Sequence, residues 1–316
     1  MGSKMSFTLR RTGLSLGVAV FGLFTAWQAA AQVPSYSAEY VFGDSLTDVG
    51  NVYNVAAFAL PVSPPYMPGR FSNGPVWAED VASALALSAS TPSILGGTNY
   101  SYGGANTTSQ IHSPTYYPIG TQGQYYFFSQ NMKNKAPSTA LYLMWAGGVD
   151  MKNAASSIYA TTDSLLLTAN STAASIGSTL RNLIGIGARH IAVLNLPDMS
   201  TIPASATLAA NLKQNRQYAS LAFNQAIAQQ VAALNGLNGA HVVLVDTYTL
   251  FQQMEASPAA YGFTNASAAC WPSGDQATKP GWMCSTNYNL QNQYLFWDTV
   301  HPTASGHQFI ANLVLS

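Results

Sequence analysis

Two short segments near opposite ends of the chain together hold the parts of a nucleophilic site. Ser45 stands in Phe42-Gly-Asp-Ser-Leu46. A serine hydroxyl is a poor nucleophile by itself and needs a base held in place by a third group. Asp298 and His301 are separated by two residues in Trp297-Asp-Thr-Val-His-Pro-Thr303, so a single turn brings them together. Asp298 can then accept the proton on one ring nitrogen of His301 and leave the other facing Ser45. The chemistry would be attack on an acyl carbon, with His301 moving the proton. Each segment is weak alone. Ser45 would serve equally as a helix N-cap, and an isolated histidine is commonly a core or surface residue. His307, inside a closing helical pattern, is read that way.

The elements that must position these groups alternate between short apolar runs and longer helical patterns. Glu39–Phe42 reads as a strand running into Gly43-Asp44-Ser45, where glycine permits a tight turn. Leu141–Trp145 is a continuous apolar run ending at Gly147-Gly148, as in a parallel strand buried on both faces. His190–Leu196, stopped by Pro197-Asp198, and His241–Val245, ending at Asp246, are further strands. Helices are expected over Pro75–Leu87, Ser171–Ile186 (closed by Gly187), Ala206–Leu234 and Thr303–Leu315. Strands separated by helices imply right-handed crossovers and a mostly parallel sheet covered on both faces. Ligands bind such sheets at the carboxyl ends of the strands, and Ser45, Gly147 and Asp198 all fall there. His301 precedes Pro302 and is therefore expected in a loop.

Composition narrows the partners. Of the 316 residues 48% are hydrophobic, enough for a sizeable core, and only 8% are charged, against about 25% in ordinary domains. Twelve basic residues balance twelve acidic ones, so no net field recruits nucleic acid. Residues 1–31 read as a secretory signal peptide. Lys4, Arg10 and Arg11 precede an apolar stretch from Leu14 to Trp27, and Ala29-Ala-Ala-Gln32 offers a cleavage site after Ala31. Arg10-Arg11 also fits a twin-arginine signal, and an uncleaved anchor is the competing reading. Residues 32–316 are expected to form one domain, secreted or periplasmic. Cys270 and Cys284, the only cysteines, are an even pair in an exported chain and suggest a disulfide, with free thiols as the alternative. Closing that loop would stabilise the fold by about 3 kcal/mol. The histidines, at 112, 190, 241, 301 and 307, form no metal-ligand pattern with the cysteines. No metal or cofactor is expected.

Several ordered segments carry a family resemblance. Val41-Phe-Gly-Asp-Ser-Leu-Thr-Asp-Val-Gly-Asn51, Gly69-Arg-Phe-Ser-Asn-Gly-Pro-Val-Trp77, Asn99-Tyr-Ser-Tyr-Gly-Gly-Ala105, Asn195-Leu-Pro-Asp198 and Asp298-Thr-Val-His-Pro-Thr303 together resemble the GDSL or SGNH hydrolase family of lipases, esterases and lysophospholipases. The resemblance spans nearly all of the chain after residue 40. It implies a three-layer α/β/α fold with a mostly parallel five-stranded sheet of flavodoxin-like type. It also implies roles: Ser45 attacks an ester carbonyl, His301 takes and returns the proton, and Asp298 fixes the His301 tautomer. The oxyanion would be bound by the backbone N–H groups of Ser45 and Gly104, with Gly103 the neighbouring possibility. Asn195–Asp198 would be structural.

One segment departs from the family pattern. The family's third segment reads Gly-x-Asn-Asp, and its Asn side chain is a further oxyanion donor. Here the residues are Gly147-Gly148-Val149-Asp150, so Val149 stands at the Asn position without a polar side chain. Losing one such donor lowers kcat by about 10²–10³, or about 3–4 kcal/mol. Three readings are open: a substitute donor, an engineered Asn→Val change, or drift toward binding without turnover. The intact Ser45, Asp298 and His301 argue against the last.

The implied activity is that of an exported carboxylic ester hydrolase acting on a small-molecule or lipid ester, with transient membrane-surface contact and a monomeric state expected. Acyl transfer to an alcohol shares the same acyl-enzyme, and a noncatalytic binder of lipids or glycans is the other class. Tyr116-Tyr117, Tyr125-Tyr126 and Phe127-Phe128 either line an acyl groove or pack a helix onto the sheet. Ala256–Asn292 reads as irregular and leads directly into Asp298.

Overall fold

Side chains alternate across each strand, so a sheet buried on both faces sorts its residues by parity. The computed structural model describes residues 35–57, 59–108, 118–272 and 283–316. Residues 1–31, His112 and Tyr116-Tyr117 lie outside these. Four parallel strands pair in the order β1 (Glu39–Gly43), β2 (Leu141–Trp145), β3 (His190–Leu194) and β4 (His241–Val245). Tyr40, Phe42, Tyr142, Met144, Ile191, Val193 and Val242 face one core. That core is covered by α3 (Thr121–Asn131), α4 (Gly148–Ala155), α5 (Thr162–Gly185) and α6 (Ala210–Leu234). Val41, Leu143, Trp145, Ala192, Leu194 and Val245 face the other core, under α2 (Trp77–Ala84), α7 (Thr247–Ala256) and α9 (Ala304–Leu315). The result is the expected three-layer α/β/α arrangement.

The sheet has four regular strands, not five. The fifth position is taken by the segment from Thr98 to Tyr102, which runs along the outer edge of β1. Val41 N–H donates to Thr98 O (3.1 Å), Tyr100 N–H to Val41 O (2.7 Å) and Tyr102 N–H to Gly43 O (3.2 Å). Regular pairing there is limited to one bridge, Val41 with Asn99. Gly43 N–H is turned to a side chain of α3, donating to Gln124 Oε1 (2.9 Å), while Gly43 O accepts from Gln124 Nε2 (2.7 Å) as well as from Tyr102 N–H. Counting this segment, the strand order is the 2-1-3-4-5 of doubly wound sheets.

Helix ends differ from expectation where caps decide them. The helix expected from Ser171 begins at Thr162, because Thr161 and Ser164 form a reciprocal capping box (3.1 and 2.9 Å). Its first turns expose Leu166 and Leu167, so apolar periodicity is missing there. Ala206–Leu234 is helical only from Ala210, and Pro75–Leu87 only over Trp77–Ala84. The stretch read as irregular holds β5 (Asn265–Ala269), which pairs in parallel with β6 (Tyr294–Phe296) just before Asp298. Two short helices are α1 (Asn51–Val55), of five residues, and α8 (Tyr288–Gln291), of four. The Cys270–Cys284 disulfide is formed. The aromatic run Tyr125–Phe128 belongs to α3, and Phe128 packs edge-on against Tyr40, Phe42, Tyr100 and Tyr142. Phe128 thus packs the helix on the sheet, whereas Tyr126 is exposed.

Candidate active site

Ser45 follows β1 at the carboxyl edge of the sheet. Gly43 approaches the neighbouring strand so closely that a Cβ there would lie 2.3 Å from Trp145 O, so only glycine fits. The chain then turns at once: Thr47 and Asp48 N–H both donate to Asp44 O, at 3.1 and 3.0 Å. Ser45 is left at the head of this turn, half-buried. Its own N–H has no hydrogen-bond partner among the described residues.

Asp298 and His301 arrive on a tight loop between β6 and α9. Trp297 N–H donates to His301 O (2.8 Å), and Thr303 N–H returns to Leu295 O (2.9 Å). Ser72 Oγ ties Pro302 O (2.9 Å) and Asn73 Oδ1 accepts from Ala304 N–H (2.9 Å), so the Gly69–Trp77 segment braces the loop from outside. His301 Nδ1 lies 2.6 Å from Asp298 Oδ2, and His301 Nε2 lies 2.7 Å from Ser45 Oγ. An ionised carboxylate only accepts, so Nδ1–H is the donor, Nε2 is the acceptor, and the Ser45 hydroxyl donates to it. The three residues named from sequence form one hydrogen-bonded chain.

Asp298 is buried and fully coordinated. Oδ1 accepts from Val300 and His301 N–H, both at 2.7 Å, while Oδ2 also accepts from Tyr66 Oη at 2.7 Å. Burial pushes its carboxyl up, but the charge and ring N–H of His301, the Tyr66 hydroxyl and the His301 N–H outweigh this and hold it below the usual carboxylate range. Tyr66 is a residue that sequence reasoning missed. It sits in a proline-rich run, and its partner lies 232 residues away. It packs against Phe71 and Trp297, and Phe71 in turn lies 5.3 Å, ring to ring, from His301.

The two glycines named for the oxyanion separate cleanly. Gly103 N–H is occupied, donating to Asp48 Oδ2 (2.8 Å). Gly104 takes φ +78, a left-handed conformation that favours glycine, and its N–H has no partner among the described residues. A buried polar network fixes this loop against the Ser45 turn. Asp48 also accepts from Gly50, Asn51 and Val52 N–H, Asn51 Nδ2 donates to Asn99 O and Ser101 O, and Asn99 Nδ2 donates to Thr47 O. Burial raises the Asp48 carboxyl to about 6, a rise that its backbone N–H donors limit. The N–H groups of Ser45 and Gly104 are thus held in place by buried bonds before any ligand arrives.

Val149 is the second residue of α4, and Asp150 holds the neighbouring loop by accepting from Thr107 N–H and Oγ1. Asn195 and Asp198 bond within the fold: Asn195 Nδ2 donates to Asp246 Oδ1, and Asp198 Oδ1 accepts from Ser200 N–H. His307 is buried, and both of its ring nitrogens lack a partner among the described residues. Among the described residues no group of His, Cys, Asp and Glu side chains is placed to hold a metal ion.

Ser45, Gly104, Val149 and His301 open onto a cleft of about 390 Å³. Val52, Leu60 and Phe71 line it from α1 and the segment after it, and Leu196, Met199 and Ile202 from the loop after β3. Among the described residues Lys152 is the one ammonium in the lining.

Known proteins of similar sequence bear on this site. The GDSL-like lipase/acylhydrolase family matches residues 40–314. The chain is 26% identical over 300 residues to a thermolabile hemolysin of Vibrio parahaemolyticus, covering 92% of this chain and 66% of the hemolysin. It is 28% identical to GDSL esterase/lipase 6 of Arabidopsis thaliana, covering 86% of this chain and 84% of that protein. It also matches an Arabidopsis anther-specific proline-rich protein, of which it spans 60%. The match thus spans about two thirds of the hemolysin's length, and less of the proline-rich protein's. Among solved structures, phospholipase A1 from Streptomyces albidoflavus superposes with a TM-score of 0.46 at 13% identity, over 89% of this chain and 98% of that one. On the match over residues 40–314, the chain belongs to the GDSL-like lipase/acylhydrolase family.

Proposed function

We propose that this chain is an exported serine carboxylic ester hydrolase that works through Ser45, His301 and Asp298 and a covalent acyl-enzyme. The unbroken hydrogen-bonded chain from Asp298 through His301 to Ser45, opening on an apolar cleft, carries the proposal. Family membership and the relatives' names as esterases and lipases support it.

The geometry suggests the steps. Ser45 Oγ attacks the ester carbonyl as His301 Nε2 takes its proton. Asp298, short of no hydrogen bond, stabilises the imidazolium without being protonated itself. The oxyanion lies against the N–H groups of Ser45 and Gly104. His301 returns the proton to the leaving alcohol, and water then repeats the sequence to release the acid. An alcohol in place of water would give acyl transfer. Val149 leaves the oxyanion site without the family's Asn side chain. The apolar lining favours an acyl chain as the buried part of the substrate. A disulfide fits an oxidising compartment outside the cytoplasm.

A fluorophosphonate probe tests the reading. Labelling that vanishes in Ser45→Ala supports it, and absence of labelling in the unaltered protein favours the noncatalytic binder. A series of chromogenic esters of rising acyl length then locates the preferred chain.

A further inference from the structure

The oxyanion site as described has two backbone donors and, at Val149, an alkyl group where the family places an amide. The same helix face carries another candidate. Lys152 is three residues beyond Val149 in α4, a spacing that puts both on one side of a helix, and both line the cleft with Ser45 and Gly104. Three residues of helix rise only about 4.5 Å. Side chains on a helix lean toward its N-terminus, so the stem of Lys152 leans back over the first turn toward Gly148 and Val149. Lys152 is half-buried, and among the described residues its ammonium makes no hydrogen bond or ion pair.

Charge in the cleft adds a second argument. Asp44 lines the cleft, and its Oδ2 lies 3.6 Å from where a Cβ on Gly148 would stand. Burial raises this carboxyl to about 6; the Leu46 N–H it accepts, then His301 and least of all Lys152 draw it down, and Asp150 opposes them. A carboxylate beside the nucleophile opposes a developing oxyanion. Apart from His301, the one cation that the described residues of the lining hold to offset it is Lys152.

We propose that the Lys152 ammonium supplies the oxyanion donor that Val149 lacks, a charged group replacing a neutral amide. This rests on the ester-hydrolase reading of Ser45. An ammonium brings three donors and a full charge on a flexible stem, so it can meet an oxyanion from a position one turn further along the helix.

The test is a double-mutant cycle on a neutral chromogenic ester. Lys152→Met keeps length and apolar bulk, and is expected to lower kcat at least tenfold with KM within threefold. Lys152→Arg should recover part of that loss. In a Val149→Asn background, where the amide is restored, Lys152→Met should cost less than threefold. An unchanged kcat in Lys152→Met overturns the proposal, as does an equal loss in both backgrounds. A loss confined to KM for anionic esters also overturns it and assigns Lys152 to the alcohol or headgroup side of the substrate. Fluorophosphonate labelling of Ser45 is run on each variant. No labelling of the unaltered protein removes the hydrolase reading itself, whereas labelling with an indifferent Lys152→Met removes only this inference.

Discussion

Tyr66 Oη donates a 2.7 Å hydrogen bond to Asp298 Oδ2, the oxygen that also receives the ring N–H of His301. Tyr66 is buried and touches no reacting atom, so its effect passes through Asp298. Tyr66→Phe keeps the ring packing on Trp297 and Phe71 and removes only the hydroxyl. A hydrogen bond to a charged group is worth about 1.5–3 kcal/mol, so kcat should fall about tenfold or more with KM unchanged. The carboxyl of Asp298 is held low partly by this hydroxyl, so the variant should move the acid limb of kcat/KM to higher pH. A full pH profile checks both effects, and superimposable profiles would remove Tyr66 from the positioning machinery.

The disulfide is joined to the same pair. Cys270, Trp271, Tyr66 and Trp297 form one buried cluster, and Cys270 and Trp271 N–H donate to Phe296 O and Trp297 O, immediately before Asp298. Both main cores lie outside that cluster. Reduction should therefore lower kcat well before the far-ultraviolet helix signal falls. Replacing both cysteines by alanine should cost about 3 kcal/mol of stability. Parallel loss of activity and helix signal during reduction would contradict this local account.

How much could be read from the sequence depended on how local the cause was. β2 ends where its apolar run ends, because a strand buried on both faces must be apolar throughout. Asp298 and His301 were legible because three residues of spacing constrain them. Tyr66 was not, since nothing near it in the chain points to a carboxylate 232 residues on. The fifth position, a segment with a single regular bridge to β1, was read as a full strand, and the bond from Gly43 N–H to Gln124, 81 residues on, has no local signal either. The helix start at Thr162 was missed because Leu166 and Leu167 face solvent and hide the apolar period. Lys152 gains meaning only beside Val149 and the cleft.

Val149→Asn is the simplest probe of the proposed oxyanion site. A wholly absent donor would make the gain about 10²–10³ in kcat. With Lys152 filling the place, the expected gain in the unaltered background is smaller, about fivefold. The pH profile should not move, because Ser45, His301 and Asp298 keep their bonds. Steady-state kinetics on a neutral ester checks it, and an unchanged or lower kcat would sink the missing-donor account.

Two buried groups that take no part in the proposed chemistry should shape stability against pH. Burial raises the Glu39 carboxyl from the ordinary 4.5 to about 8, offset in part by Ser90 and reinforced by Glu79. The folded chain then holds a proton that the unfolded chain releases, so stability falls as pH rises from about 4.5 to about 8. His307 runs the other way. Burial, with His301 nearby, pushes it down from 6.5 to about 3, so the unfolded chain binds a proton first and stability falls as pH drops through that window. Glu39→Gln should therefore raise Tm at pH 8 and leave it nearly unchanged at pH 4. His307→Leu should flatten the loss on the acid side, and its unpartnered ring nitrogens mean that no hydrogen bond to a described residue is given up. Thermal unfolding between pH 4 and 9 separates the two, and a Glu39→Gln variant with an unaltered alkaline limb would show that the carboxyl is already ionised in the folded protein.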